Sequence, residues 1–323
     1  MLQVSHRLKI GTTTYQSGDQ TRLIDLQVKA ALDVPVNTCR IILGSPGDLT
    51  IALNDSVAVE LGYGNDVKLI FTGSVSAVDW SIDRVTLHAD SAFASLTAAR
   101  FNLLYEKSNA GDIVNDAIVK LKLKSDKVES GIQFPVYALG DNQTAYQHLQ
   151  TLARQCGFDF YANPKDQVVF AKYNPTTTHE FKYAKNILVF DLDEQTLSVT
   201  GVEIYGESPA SGGQGSEASS WLTKKEVKGQ AGKTTGIVAR LFDPTARTQK
   251  AAAEIAKGIW ATYTQKQRGV IKVLGAPAVT LADAVNVSQM PAKPLNGTFK
   301  VTGIVHTVNT TKGFFTMIYG EKA

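Results

Sequence analysis

The sequence predicts a β-rich α+β chain in which two similar small β-barrels are separated by an α+β insert. Three observations carry this. Near both ends, apolar residues alternate with polar ones at period two, the mark of strands with one buried face. The middle of the chain switches to helical spacing. A turn-and-strand pattern around Asp55 then returns around Asp283.

Residues 1–90 read as strands. Val67, Leu69 and Phe71 occupy alternate positions, as do Val85, Leu87 and Ala89. Asn54-Asp55 and the run 62–66 supply turns between them. Several short strands joined this way predict the first barrel.

The insert is predicted at 91–180. The segment 92–105, rich in Ala and Leu, reads as a helix. Asn109 can cap a second helix with Asp112 in its first turn, and Ile113, Val114, Ala117, Ile118 and Leu121 follow at helical spacing. A third helix runs from about 143 to Cys156 on the stripe Ala145, Leu149, Leu152, Ala153 and Cys156, with Gly157 as its left-handed cap. The apolar runs 158–161 and 168–170 then flank Asn163-Pro164-Lys165-Asp166, which predicts a hairpin.

The second barrel is predicted at 181–323, with strands at 187–192, 197–205 and again from 269 to 319. The segment 207–220, centred on Gly212-Gly213-Gln214-Gly215-Ser216, has too little apolar content to join a barrel core and reads as a long loop. A single helix is expected at 245–267, entered through Asp243-Pro244, with Ala252, Ile255, Ala256, Ile259 and Tyr263 on one face.

The two ends resemble each other. The run 52–59, ALNDSVAV, matches 280–287, TLADAVNV, placing Asp55 and Asp283 in register 228 residues apart. Thr72-Gly73 matches Thr302-Gly303 at 230, and Leu87 falls opposite Thr316 or Met317. A near-constant offset over three consecutive strands predicts two copies of one barrel. The plainer reading is that β-hairpins look alike.

Composition and motifs exclude several functions. The net charge of +3 is small for 323 residues and no basic patch forms, which speaks against specific nucleic-acid binding. Lys120, Lys122 and Lys124 read as a solvated helix end. No apolar run is long enough to span a bilayer, and none near the start has signal length, so synthesis in the cytoplasm without membrane insertion is expected. Cys39 and Cys156 are too few for a disulfide framework. Cys156 with His148 could form a thiol–imidazole pair, but Cys156 also completes an apolar stripe. Asp191, Asp193 and Glu194 could hold a calcium ion but lack a glycine-centred loop, and a solvated turn is the simpler reading. Gly62-Tyr63-Gly64 lacks the third glycine of a dinucleotide fingerprint. His6, His88, His148, His179 and His306 are scattered. No catalytic residues, cofactor or metal are expected.

These segments together resemble a family. Residues 275–277 (GAP), 281–287 (LADAVNV) and 295–306 (LNGTFKVTGIVH) look like the closing barrel of the hub proteins of contractile phage tails, the late control protein D family. That family is similar in turn to the N-terminal half of type VI secretion spike proteins. Tyr105, Asp112-Ile113-Val114, 141–146 (DNQTAY) and 152–158 (LARQCGF) match its helical segment in order. Ala282 stands where the family often has glycine.

The resemblance implies a structural baseplate hub and not an enzyme. Its barrels would be of the tail-tube type, and it would act as a trimeric adaptor between a hexameric tail tube and a trimeric spike. The implied partners are two further copies of the chain, the tube or its initiator, a separate spike protein and other baseplate proteins. The implied location is a phage tail or an injection particle. A tail-tip peptidoglycan hydrolase and a glycan-binding β module are the rival expectations.

Overall fold

The computed structural model describes residues 3–17, 22–44, 49–197, 199–206, 227–264 and 267–322. The loop expected at 207–220 lies outside them.

The first module holds β1 (Val4–Ile10), β2 (Thr13–Gln16), β3 (Leu23–Ala31), β4 (Thr38–Gly44), β5 (Ser56–Tyr63), β6 (Asp66–Trp80) and β7 (Arg84–Asp90). They lie side by side in the order β3-β4-β7-β6-β5-β1-β2, all neighbours antiparallel. Period-two alternation turns Leu8, Val28, Cys39, Ile41, Val59, Leu61, Leu87 and Ala89 into one core.

The insert departs from expectation at its start. Only α1 (Ala94–Ala98) is helical in 92–105, and Leu103–Asn109 forms strand β8. Leu and Ala favour helix, but pairing with β10 overrides that preference. Helices α2 (Ala110–Lys120) and α3 (Ala145–Cys156) and the hairpin β11 (Phe158–Ala162) with β12 (Gln167–Lys172) follow the sequence closely, while strands β9 (Lys124–Val128) and β10 (Gln133–Leu139) were not expected. Asn109 caps α2 in a capping box: its side-chain oxygen accepts from Asp112 N, and its own N–H donates to the Asp112 carboxylate. Thr144 and Gln147 do the same for α3, and Gly157 closes it at φ 66°. Lys120 ends α2 paired with Asp116 at 2.6 Å, while Lys122 and Lys124 lie beyond the helix.

After β13 (Thr178–Lys182) and β14 (Ile187–Glu194), the chain forms a separate small sheet. It consists of β15 (Gly201–Gly206), β16 (Lys228–Gly232) and β17 (Val238–Asp243), followed by α4 (Gln249–Tyr263). Helix α4 starts at Thr248, whose hydroxyl accepts from Ala251 N, four residues after Pro244. Asp243 instead accepts from Gln155 of α3 at 2.6 Å and from Thr245. Val202, Ile204, Ala252, Ile255, Ala256 and Ile259 join the insert's core with Leu149, Leu152 and Phe170. So 201–206 and 227–263, expected within the second barrel, pack with 93–170. The contact is tight: a Cβ on Gly258 would lie 2.3 Å from the carbonyl oxygen of Gln155.

The second module completes with β18 (Gln267–Leu274), β19 (Ala284–Ser288), β20 (Gly297–Asn309) and β21 (Gly313–Lys322) around Ile271, Val285, Phe299, Val301, Ile304 and Ile318. Its strands continue the first module's sheet, because β20 pairs with β3. The β11–β12 hairpin braces both modules. Asn37 donates to Ala162 O, Ala92 N donates to Asp166, and Lys300 pairs with Asp159 at 2.5 Å while lying over the Tyr173 ring. Among the described residues, no helix is long and apolar enough to cross a membrane.

Candidate assembly interface

The structure builds the sequence repeat in atomic detail. Strands β3, β4, β7, β6 and β5 lie side by side in that order. Strands β14, β18, β21, β20 and β19 lie in the same order, with every neighbour antiparallel in both sets.

Each copy opens its third strand with the same turn. Ala52 N donates to Asp55 Oδ2 at 2.8 Å, and Thr280 N donates to Asp283 Oδ2 at 2.8 Å. Asn54 and Ala282 precede the aspartates at φ 71° and 62°. That left-handed backbone is costly for a residue with a Cβ, which explains why glycine suits the position and Ala282 departs from it. Val75 then exchanges hydrogen bonds with Asn54 and Asp55, as Val301 does with Ala282 and Asp283.

Two bulges repeat as well. The pairing slips at Ser76 and at Thr302, one residue past those valines. It slips again at Ile24 and at Leu188. The structural match is therefore Val75 with Val301, and Leu87 with Ile318, each opposite the equivalent core residue of the neighbouring strand. The Thr-Gly match is out of step by four residues, since Ala77 and not Gly73 corresponds to Gly303.

The copies differ in what covers one edge. Beyond Val301, the second half of β20 is joined by β3 over seven pairs, Gly303↔Ala31 to Asn309↔Asp25, with Asn309 Nδ2 donating to Asp25 at 3.0 Å. Beyond Val75, the second half of β6 has no strand on that side among the described residues. Strand β14, the counterpart of β3, likewise has no neighbour beyond β18. Exposed apolar side chains gather at these two edges: Trp80 and Ile82 on one, Leu188 and Val189 on the other. Unpaired edges of this kind invite another strand.

Among the described residues, the groups singled out from the sequence do not converge. His148 shares a hydrogen bond with the Gly140 carbonyl, and Cys156, eight residues on, accepts weakly from Ile132 N. Eight residues of helix separate them by about 12 Å. Burial pushes the Cys156 thiol up to about 11, so it is not a thiolate nucleophile at neutral pH. Alternation along β14 places Asp191 and Asp193 on one face and Glu194 on the other. Among the described residues, no group of three or more His, Cys, Asp or Glu side chains could hold a metal. The five histidines stay apart. His6 meets Ser17, His88 faces Asp79, His179 pairs with Asp283 at 2.9 Å, and His306 is buried against Thr316 and Phe314.

No family profile matches the chain, and no curated protein matches it by sequence. Solved structures do match along nearly its full length. The 43 kDa tail protein of prophage MuSo2 from Shewanella oneidensis superposes with a TM-score of 0.73 at 12% identity, covering 98% of each chain. A tail protein from Neisseria meningitidis gives 0.73 at 14% identity over 99% of this chain and 97% of its own. A component of the E. coli type VI secretion system gives 0.64 at 9%, over 98% of this chain and 76% of its own. The chain has the fold of these tail proteins.

The bulges and open edges were not foreseen from sequence, although a signal existed. A bulge widens the apolar spacing from two residues to three. Leu23, Leu26 and Val28 show it, as do Ile187, Phe190 and Leu192; so do Val75 and Val78, and Val301 and Ile304.

Proposed function

We propose that this chain is a structural hub subunit of a contractile tail or injection machine, a component of the particle and not an enzyme. Three copies close a ring of six modules. One side seats a hexameric tail tube, and the other seats a trimeric spike made as a separate protein, with other baseplate proteins around them. The observation that carries this is the duplicated five-strand unit, matched in turn, bulge and strand order. Two such units per chain give six-fold pseudo-symmetry only when three chains close a ring, and closed rings of identical subunits are the ordinary solution. The fold shared with phage tail proteins and a type VI secretion component supports the setting.

Native mass spectrometry of the purified chain, or reconstruction of a particle containing it, tests the reading. Trimers are expected. A hub made of six chains overturns it.

A further inference from the structure

The hub reading leaves open how neighbouring chains join. We propose that β14 of one chain adds edge-on to the free second half of β6 in the next. The internal β3–β20 junction is thereby repeated between chains. The inference rests on the hub reading, and its occupant is a second copy of this chain.

The internal junction supplies the template. Strand β20 ends its pairing with β19 at Ala284↔Lys300, with Ala282 and Asp283 holding Val301. It then receives β3 along the same side. Strand β6 ends its pairing with β5 at Ser56↔Ser74, with Asn54 and Asp55 holding Val75, and then continues to Trp80 with that side open. The strand that fills the gap on β20 is the first strand of the other copy. Its counterpart is β14, whose outer side is also open. One chain therefore carries one junction already made and both halves of another. The two halves sit on different modules, so a chain offers one to each neighbour in a ring.

The template also fixes the register. Ile41 opposite Leu87 corresponds to Ile271 opposite Ile318, so Leu26, Val28 and Ala30 correspond to Phe190, Leu192 and Glu194. Internally, Ile304 faces Ala30, Val305 faces Lys29 and His306 faces Val28. Transferred between chains, Val78 faces the partner's Glu194, Asp79 faces the partner's Asp193, and Trp80 faces the partner's Leu192.

Two consequences can be examined on the chain itself. Trp80 is 52% exposed in the single chain, and the register sets its ring against Leu192, an apolar pair across the seam. The same register sets Asp79 directly against Asp193, whereas the internal junction sets Val305 against Lys29. Like charges directly opposite each other weaken a strand pair. The seam is also shorter, because β6 turns back at Ser81, whose N–H donates to Arg84 O at 2.9 Å. The joint between chains is thus a weaker version of the joint within the chain.

A charge-swap cycle on the full chain tests this, read as trimer population against concentration up to about 100 µM, where micromolar affinities saturate. Asp79→Lys and Asp193→Lys each replace a repulsive pair with an attractive one and should tighten association about fivefold per seam. Combined, they restore like charges and should return it toward the unmodified level. A gain followed by its reversal cannot come from misfolding. Alongside, Val78→Cys with Glu194→Cys, and separately Asp79→Cys with Asp193→Cys, should form interchain disulfides on oxidation. Adjacent pairs alternate between close and wide spacing, so one of the two presents the closer geometry. Trimers that neither respond to the swaps nor cross-link overturn the seam and leave the hub reading standing. A chain that stays monomeric throughout overturns both.

Discussion

The first and second modules share five strands, a turn and two bulges, yet differ almost everywhere else. Strand β5 is flanked by antiparallel β1, whereas its counterpart β19 is flanked by parallel β13. The first two strands are joined by a short connection in the first module. In the second they are parted by a long stretch whose described segments, 201–206 and 227–263, pack into a core shared with 93–170. Each module buries a histidine, His6 on the face of Leu8 and Ile10 in the first and His306 beside Phe314 and Thr316 in the second, and His306 is the more deeply enclosed. What is kept is the geometry of the sheet and of the bulged edge past Val75 and Val301. What has diverged lies at the margins, where insertions can be carried without altering that edge.

The comparison can be broken most forcefully at its centre. Leu87 and Ile318 occupy equivalent positions and are both almost fully buried. Leu87→Ala and Ile318→Ala should each cost about 2–5 kcal/mol in denaturant melts. A large cost at one site and almost none at the other would show that the two cores are not equivalent.

A pH titration sharpens the difference at His306. Full burial lowers its pKa to about 4, and the unfolded chain restores the ordinary value of 6.5. Between these values the unfolded state binds the extra proton, so stability is present above pH 6.5 and is lost as pH falls toward 4. The loss reaches roughly 3 kcal/mol at most. His306→Leu should flatten this part of the profile, since Thr316 keeps the Ala276 N–H as a partner. An unchanged profile would place the acid sensitivity elsewhere.

The turn aspartates should differ in weight. Asp283 accepts from Thr280 N, from the Thr280 hydroxyl and from His179, and it is nearly buried. The Asp55 carboxylate holds Ala52 N in a more open setting. Asp283→Ala should cost about 2–3 kcal/mol and Asp55→Ala about 1. Equal costs would show that the bonds from His179 and the Thr280 hydroxyl contribute nothing.

The smallest effect is a gain. Ala282→Gly relieves a left-handed alanine and should stabilise by about 0.5–1 kcal/mol. Asn54→Gly should be nearly neutral, because asparagine tolerates that backbone. Thermal melts of the two variants side by side decide this.

Much of the fold was legible in the sequence. The capping residue Asn109, the closing Gly157 and the hairpin around 163–166 each follow from local chemistry, and the Asp55–Asp283 match was correct to the residue. The rest was hidden for identifiable reasons. Helical preference at 92–105 lost to strand pairing that depends on Gln133–Leu139, some thirty residues away. Reading 201–263 as barrel assumed that neighbours in sequence share a core, and its apolar face instead meets α3. The open edges are properties of backbone hydrogen bonding, which side-chain patterns report only through bulges. Trp80 and Val189 are apolar, and nothing in their local sequence says whether their strand has a neighbour.

The junction between β3 and β20 also sets an order of events at the ribosome. Asp25 and its partner Asn309 are 284 residues apart. At about 5–20 residues per second, the first strand emerges roughly a quarter of a minute to a minute before the strand that will cover it. Through that interval the nascent first module displays not one bare edge but two, β3 and the second half of β6. On a message carrying several ribosomes, a finished β20 of a neighbouring chain competes for the waiting β3 through that interval. Pairing in trans would link two chains through the junction that each otherwise closes on itself. Timely completion of each chain therefore bears on its folding as directly as the strength of any contact within it.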